Sequence, residues 1–309
     1  MNSPFRTEIE ATLKKNRPNL HSKSLTSYIS TLYNLPKKVN PQLIPHLNSL
    51  KVDYFSKNVE SILNYLQIVK PSPRKTILSA LYVLTGIEAY NGLMRNDIQT
   101  TAIQNEKQIM TEKQQESWVS WDQVIKLHQQ YEVALTKMLS SKASLNQTQM
   151  HEFCKFILLS CFVYIEPRRA MDYSEMKIRN INPETDNFID IQRKVFVFNK
   201  YKTAKTYGSQ AVPIPSPLIH WIILWSNFNK SDYLLIKKSG SKLNPNSITS
   251  MFYQIFKSNV SVNILRHSYL SSLYQNIPQL VQMKQTAKNM GHSVDMALQY
   301  IKRAPVTSS

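Results

Sequence analysis

The feature that most constrains the fold is a strongly apolar segment in the middle of the chain, residues 149–165, which is followed closely by a proline and two arginines. Its length and pattern indicate a helix. Pro167 disfavours helical backbone in the residue before it, so this helix must end near Ile165. Arg168 and Arg169 are therefore predicted to lie just past a break in the chain, at the start of the next helix.

The chain as a whole is predicted to be mainly helical. Its 309 residues, 42% of them apolar, leave room for two domains with real hydrophobic cores. The presence of only 5 Gly favours helices. Three short segments, residues 177–181, 194–198 and 209–214, have instead the pattern of β-strands. The predicted fold class is mainly α with a small antiparallel β-sheet (α+β).

The first part of the chain is predicted to form a helical bundle. One apolar stripe at helical spacing precedes Pro36, and further stripes flank the break at residues 71–74. Residues 1–20 are polar and basic, so we expect an N-terminal arm or a ragged first helix. Residues 103–115 have little apolar periodicity and are expected to run into an interdomain linker. A new helix, with a cap at Ser120, then opens the second domain.

The charge predicts a polyanionic partner. The formal net charge is +18, from 38 Lys plus Arg against 20 Asp plus Glu, and nucleic acid is the commonest partner of such chains. A membrane surface is the alternative, but the charge is spread along the chain and not gathered in one amphipathic helix. The longest apolar run, residues 156–165, is too short to span a bilayer, and no signal peptide is apparent. We expect an intracellular protein that binds no membrane.

The two cysteines, Cys154 and Cys161, lie within the apolar segment. A metal site would need two further ligands, and the neighbouring sequence supplies none. Buried, reduced thiols are therefore predicted. We find no internal repeat, phosphate-binding glycine loop or metal-ligand cluster in the sequence.

The end of the chain brings an arginine, histidines and a tyrosine into a short stretch. Apolar residues at helical spacing in 262–273 leave Arg266 at the edge of the buried stripe, where it faces a cleft. A second predicted helix starts near Pro278 and stops before His292, which then lies in a tight corner. Tyr300 belongs to a last short helix, so the guanidinium, imidazole and phenol can converge.

These side chains are the groups needed to attack a phosphodiester without a metal. Arginine binds a phosphate through two parallel hydrogen bonds and offsets the charge that grows on its oxygens. Histidine positions or relays a proton, and a phenol can act as a covalent nucleophile. With 16 Tyr and 7 His in the chain, each residue alone indicates little. Their order and spacing carry the prediction.

Two sequence boxes give that order. They are Asn263-Ile264-Leu265-Arg266-His267 and Met290-Gly291-His292-Ser293, with Tyr300 eight residues after His292. The stretch resembles the carboxyl-terminal signature of the tyrosine recombinase (phage-type integrase) family: His-x-x-Arg-His, Leu-Gly-His-Ser, then the nucleophilic Tyr. Asn263 replaces His or Lys, Met290 replaces Leu, and the final spacing is one residue shorter than usual. An amide can donate a hydrogen bond to a phosphate but cannot carry a proton at neutral pH.

The resemblance extends to the two arginines after Pro167. In the family, the first catalytic Arg begins a helix, an acidic residue follows three positions later and an apolar residue seven later. Arg169, Asp172 and Met176 match this frame. Arg168 is the alternative if the register shifts by one, and it is otherwise expected to contact DNA.

Further matches lie in the β-hairpin and in the helical first domain. The family has a mobile hairpin lysine that acts as a general acid, and Lys205 fits it because it precedes Pro213 by eight residues. Lys202 stays open as the alternative. The first domain is similar to the family's core-binding domain, which implies DNA contacts from three basic residues. These are Lys23, Arg74 and Lys75.

The resemblance implies three regions and one reaction. The regions are a basic N-terminal arm (1–20), a helical core-binding domain with linker (21–115) and a catalytic tyrosine recombinase domain (116–309). Tyr300 would attack the scissile phosphate and form a 3′-phosphotyrosyl link, while Arg169 and Arg266 hold that phosphate. The hairpin lysine would protonate the leaving oxygen. His267 and His292 would orient groups or relay protons.

The implied protein is a site-specific recombinase, most like the integrases of viruses and mobile elements. Because the covalent link conserves the bond energy, no ATP, metal or other cofactor is expected. The implied partner is double-stranded DNA, bound by a homodimer on each recombination site and by a homotetramer in the synaptic complex. The implied location is that of the host or viral DNA, in the cytoplasm or the nucleus. A type IB topoisomerase is the alternative with the same chemistry. A catalytically inactive DNA-binding relative is the alternative from another class.

Overall fold

The computed structural model describes residues 3–140, 144–275, 278–289 and 293–295. These residues form two compact units. The first contains the described residues up to Ile109 together with those from Pro278 onward. The second runs from Met110 to the gap at residues 276–277. This grouping differs from the predicted boundaries, which place residues 116–309 in one domain.

The secondary structure is mainly helical, as predicted, with one small sheet. In chain order the elements are α1 (Pro4–Asn16), α2 (Ser22–Val39), a 3-10 helix (Pro41–Ser49), α3 (Tyr54–Lys57), α4 (Val59–Gln67), α5 (Pro71–Thr85), α6 (Glu88–Glu106), α7 (Glu112–Glu116), α8 (Trp121–Leu139), α9 (Gln147–Val163), α10 (Ala170–Ser174), β1 (Phe188–Asp190), β2 (Val195–Phe198), α11 (Ala204–Tyr207), β3 (Gln210–Pro213), α12 (Ser216–Phe228), α13 (Pro245–Phe256), α14 (Val262–Leu273) and α15 (Leu280–Asn289). None of the helices described is both long and apolar enough to cross a membrane.

The first unit is a bundle in which α1 belongs to the core. Phe5, Ile9 and Leu13 recur every fourth residue and are fully buried. The side-chain amide of Asn16 donates to the carbonyl of Leu84 at 2.9 Å, which ties the end of α1 to α5. Of the two expectations for residues 1–20, a basic N-terminal arm or a first helix, residues 4–16 therefore form the helix, because three apolar side chains in this basic segment are enough to bury one face of it.

The second unit is built around α9. Every residue from Phe153 to Phe162 is buried, which confirms the helix predicted from the apolar segment. Cys154 and Cys161 are both buried and free, as predicted. Burial raises the pKa of the Cys154 thiol to about 12, so it stays protonated and unreactive at neutral pH.

The sheet has the strand order β1-β2-β3, and both pairs are antiparallel. The two later strands match the prediction. The strand predicted at residues 177–181 is wrong, since the first strand is β1. Lys177 N–H donates to Asn187 while Ile178 N–H donates to Asp232, so neighbouring residues pair with different segments and form no continuous ladder.

Helix α14 ends the described part of the second unit. Its N-cap residue, Ser261, accepts a hydrogen bond from Ile264 N–H. Val262 and Leu265 are buried as predicted, but Leu273 is 55% exposed, so the buried stripe stops before the last turn. The next helix, α15, belongs to the first unit, where Leu280 N–H donates to the Gln108 side chain at 3.0 Å.

Candidate active site

The double arginine lies at the start of α10, as predicted from the chain break at Pro167. Arg169 is the N-cap residue, with φ −74° and ψ 151°, and its carbonyl accepts from Asp172 N–H at 2.9 Å. Its side chain is half-buried. Within the ranges the structure describes, no carboxylate lies within ion-pair distance of its guanidinium.

Arg266 on α14 meets the same chain break from far along the sequence. Its Nε donates to the carbonyl of Pro167 at 3.2 Å, across 99 residues of sequence. Burial lowers the pKa of the Arg266 guanidinium, the positive charge of Arg169 lowers it further, and Asp172 opposes this. Arg266 therefore lies beside the chain break that precedes Arg169, and the positive charge of Arg169 acts on it. Such a pair suits a bidentate anion such as phosphate.

Arg168 is directed into the protein. Its Nε donates to Asp172 Oδ2 at 3.0 Å, and its Nη1 donates to Gln210 Oε1 at 3.0 Å. Its guanidinium carbon lies 4.0 Å from the ring centre of Phe198 and 5.2 Å from that of Tyr201. Its donors thus have internal partners, whereas those of Arg169 have none among the residues described.

Asp172 depends on these arginines for its charge. The residue is only 2% exposed, and burial raises the pKa of its carboxyl, while Arg168 and then Arg169 oppose that shift. Its second oxygen, Oδ1, has no hydrogen-bond partner in the described part of the chain. A buried carboxylate with one free oxygen needs a cation beside it.

Both predicted lysines lie in the hairpin loop, residues 201–208, between β2 and β3. Lys202 and Lys205 are exposed, and neither has an ion-pair partner among described residues. The Tyr201 hydroxyl donates to the Gly208 carbonyl at 2.7 Å, so it closes the loop on itself. Gly208 has φ 67° and ψ −162°, a conformation that essentially only glycine adopts.

Two residues at this site were missed in the sequence. The buried Asn187 donates from Nδ2 to the carbonyls of Asp172 and Lys200, and its Oδ1 accepts from Lys200 N–H. It thereby joins α10 to the end of β2. Gln210 joins β3 to Arg168. Neither residue belongs to a sequence motif, and polar residues at strand ends are too common to stand out.

The other predicted residues are placed as follows. Asn263 is exposed in the first turn of α14, on the same face as Arg266 because it lies three positions earlier. His267 is exposed but follows Arg266 directly, so it lies on another face. His292 and Tyr300 lie outside the described residues.

The three basic residues predicted in the first unit differ from one another. Lys23 and Lys75 are exposed, on α2 and α5. Arg74 is held inside the bundle, where its Nε donates to Asp97 Oδ2 at 2.7 Å and its Nη1 to the Leu66 carbonyl. Two of the three cations are therefore freely exposed to a ligand.

Comparison with known proteins gives solved structures alone. No family model and no curated protein sequence matches the chain. The XerA recombinase structure has 12% sequence identity and a TM-score of 0.36, over 97% of this chain and 94% of that one. A lambda integrase dimer bound to a COC′ core site has 16% identity and a TM-score of 0.48, over 98% and 80% of the two chains. A lambda integrase tetramer bound to a Holliday junction has 13% identity and a TM-score of 0.46, over 88% and 72%. Each of these three likenesses, to a recombinase and to lambda integrase, extends over at least 88% of this chain.

Proposed function

We propose that this chain is a site-specific DNA recombinase that cuts and rejoins strands through a covalent 3′-phosphotyrosyl intermediate. The observation that carries the proposal is the hydrogen bond from Arg266 Nε to the Pro167 carbonyl, which brings Arg266 to the chain break that precedes Arg169. Guanidinium groups from the two sides of that break would match the nonbridging oxygens of a phosphodiester, on which charge grows in the transition state. The net charge of +18 supports a polyanionic substrate.

The proposed reaction uses the residues in separate roles. The Tyr300 phenol oxygen attacks phosphorus as its proton passes to His267 or His292, and the bond from phosphorus to the 5′ oxygen breaks. The ammonium group of Lys205 or Lys202 gives its proton to that leaving oxygen. His267 and His292 orient groups or relay protons. Attack by a 5′-hydroxyl on the phosphotyrosine reverses the step and releases Tyr300, so no cofactor is consumed.

The proposed substrate is double-stranded DNA with recombination sites, in the cytoplasm or the nucleus. We further propose a homodimer on each site and a homotetramer in synapsis. A type IB topoisomerase would use the same chemistry on one duplex. Strand exchange between two labelled duplexes, each carrying a site, supports the recombinase. Relaxation of supercoiled DNA without exchange supports the topoisomerase.

Covalent trapping tests the chemistry directly. On nicked suicide DNA in EDTA, we expect the wild-type chain to form a protein–DNA adduct that survives denaturing electrophoresis. Tyr300→Phe should form none, because it lacks the nucleophilic oxygen. Tyr274→Phe is the matched control, since that phenol is 53% exposed at the end of α14 and has no proposed role. An adduct with Tyr300→Phe, or none with the wild type, contradicts the proposal.

Asn263 gives a sharper test of the site. If its amide donates to a nonbridging oxygen, Asn263→Leu should slow single-turnover adduct formation by about ten- to a thousandfold, as expected for the loss of one transition-state donor. Asn263→His should preserve or raise the rate, because an imidazole also donates. Equal rates for Asn263 and Leu would mean that this position does not face the phosphate.

A further inference from the structure

We propose that Arg168 is a positioning residue that holds the hairpin loop, residues 201–208, in a fixed relation to the phosphate-binding arginines. This inference rests on the proposed function and assigns Arg168 a role other than contact with DNA. Arg168 acts through Lys202 or Lys205, which would touch the substrate. Arg168 itself would not.

The geometry joins three elements through one side chain. Nε of Arg168 is bound to Asp172 on α10, and Nη1 is bound to Gln210, the first residue of β3. The same guanidinium lies over the ring of Phe198, the last residue of β2. The residues on either side of the hairpin loop therefore contact one planar group, which is anchored on α10.

The neighbouring contacts make this connection stiff. The Tyr201 ring also lies beside the Arg168 guanidinium, and the Tyr201 hydroxyl closes the loop at Gly208. The Arg168 side chain is 18% exposed and that of Asp172 only 2%, so solvent screens their ion pair little. The next residue, Arg169, is the N-cap of α10. One arginine thus holds the loop while its neighbour faces the proposed phosphate site.

This arrangement matters for proton transfer. A general acid must lie within hydrogen-bond reach of the leaving oxygen, and a displacement of about 1 Å costs about a hundredfold in rate. A lysine on an exposed loop meets that requirement only if the two ends of the loop are held in place. Loosening the two ends of the loop should therefore slow the proton-dependent step selectively.

Two variants loosen the ends of the hairpin loop in different ways. Gln210→Ala removes the bond to β3 and leaves the pair of Arg168 with Asp172 intact, so the fold is retained. Arg168→Lys keeps the positive charge but loses the planar, forked geometry. Arg179→Lys is the matched control. Arg179 is also half-buried in the second unit, and it donates to the carbonyls of Ser226, Asn229 and Ser231, none of which belongs to the hairpin loop.

The readout compares two suicide substrates, one with oxygen and one with sulfur at the bridging 5′ position. Sulfur leaves as a thiolate and needs no proton. We expect Gln210→Ala and Arg168→Lys to slow adduct formation on the oxygen substrate by about ten- to a hundredfold. On the sulfur substrate both should stay within about threefold of the wild type, and Arg179→Lys should leave the ratio of the two rates unchanged.

Equal slowing on both substrates, or none on either, would overturn the positioning role. Amide hydrogen exchange separates this failure from a failure of the proposed function. Exchange across residues 201–208 should be about tenfold faster in both variants than in the wild type or in Arg179→Lys. A wild-type chain that forms no adduct refutes the recombinase chemistry, but faster exchange in the variants would still support the conclusion that Arg168 holds the hairpin loop. Unchanged exchange in the variants would refute the conclusion that Arg168 holds the hairpin loop.

Discussion

Arg266→Ala is expected to lower the single-turnover rate of adduct formation by about a thousandfold, because one guanidinium that offsets transition-state charge is lost. The fold should persist. Within the described residues, the Arg266 side chain makes one hydrogen bond, from its Nε to the Pro167 carbonyl. The side chain lies at the edge of the buried stripe of α14. The rate is measured on nicked suicide DNA, and the fold by thermal melting.

Arg193→Ala is the matched control for this loss of charge. Arg193 is an exposed arginine in the same unit, in the turn between β1 and β2. Both variants remove one positive charge, so the change in net charge is matched between them. Only Arg266→Ala should lose the adduct. An undiminished rate, or the loss of a cooperative melt, would show that Arg266 has been assigned the wrong role.

Arg74→Met is expected to reduce the free energy of unfolding by about 3 kcal/mol, because it leaves a buried carboxylate without its cation. The Arg74 and Asp97 side chains are only 14% and 6% exposed. Lys75→Ala, at the exposed neighbouring position, should change stability by less than about 0.5 kcal/mol. Urea unfolding of the two variants measures the difference.

For DNA binding, we expect the substitution at Lys75 to have the larger effect and the substitution at Arg74 the smaller one. Lys75→Ala should reduce the slope of log affinity against log salt by about one if that ammonium contacts a phosphate. Arg74→Met, measured where the protein is folded, should leave the slope unchanged. The double variant Arg74→Met with Asp97→Leu should recover stability, because both buried charges are then gone. Equal stabilities of the two single variants would contradict the buried-pair account.

Several elements were predictable because short-range physics decides them. The run of apolar residues in 149–165 must be buried, and it forms α9. Ser120 caps α8 by accepting from Gln123 N–H, a bond between residues three positions apart. The helix before Pro167 ends at Val163, and the next helix starts at Ala170, directly after Arg169, in agreement with the predicted break. In each case the partners lie within one or two turns of the chain.

One prediction failed, and one was left open between two alternatives, where contacts distant in the chain decide the outcome. The segment 177–181 has a strand-like pattern, but its N–H groups are taken by Asn187 and Asp232. Residues 4–16 look polar and basic on average, yet Phe5 and Ile9 find a core built by later helices. Average composition does not show whether another segment is present to bury a few apolar side chains.

The sequence by itself determined the helical class, the basic charge and the order of the arginine boxes, because composition and spacing are local properties. Only the tertiary structure decided which partners each of two adjacent cations has. Arg168 is bound by Asp172 and Gln210 while the Arg169 side chain has no hydrogen-bond partner among the described residues, and Arg74 is paired with Asp97 while Lys75 is exposed. Adjacent residues of the same charge are equivalent in a pattern, and they differ only through partners that folding brings from elsewhere in the chain.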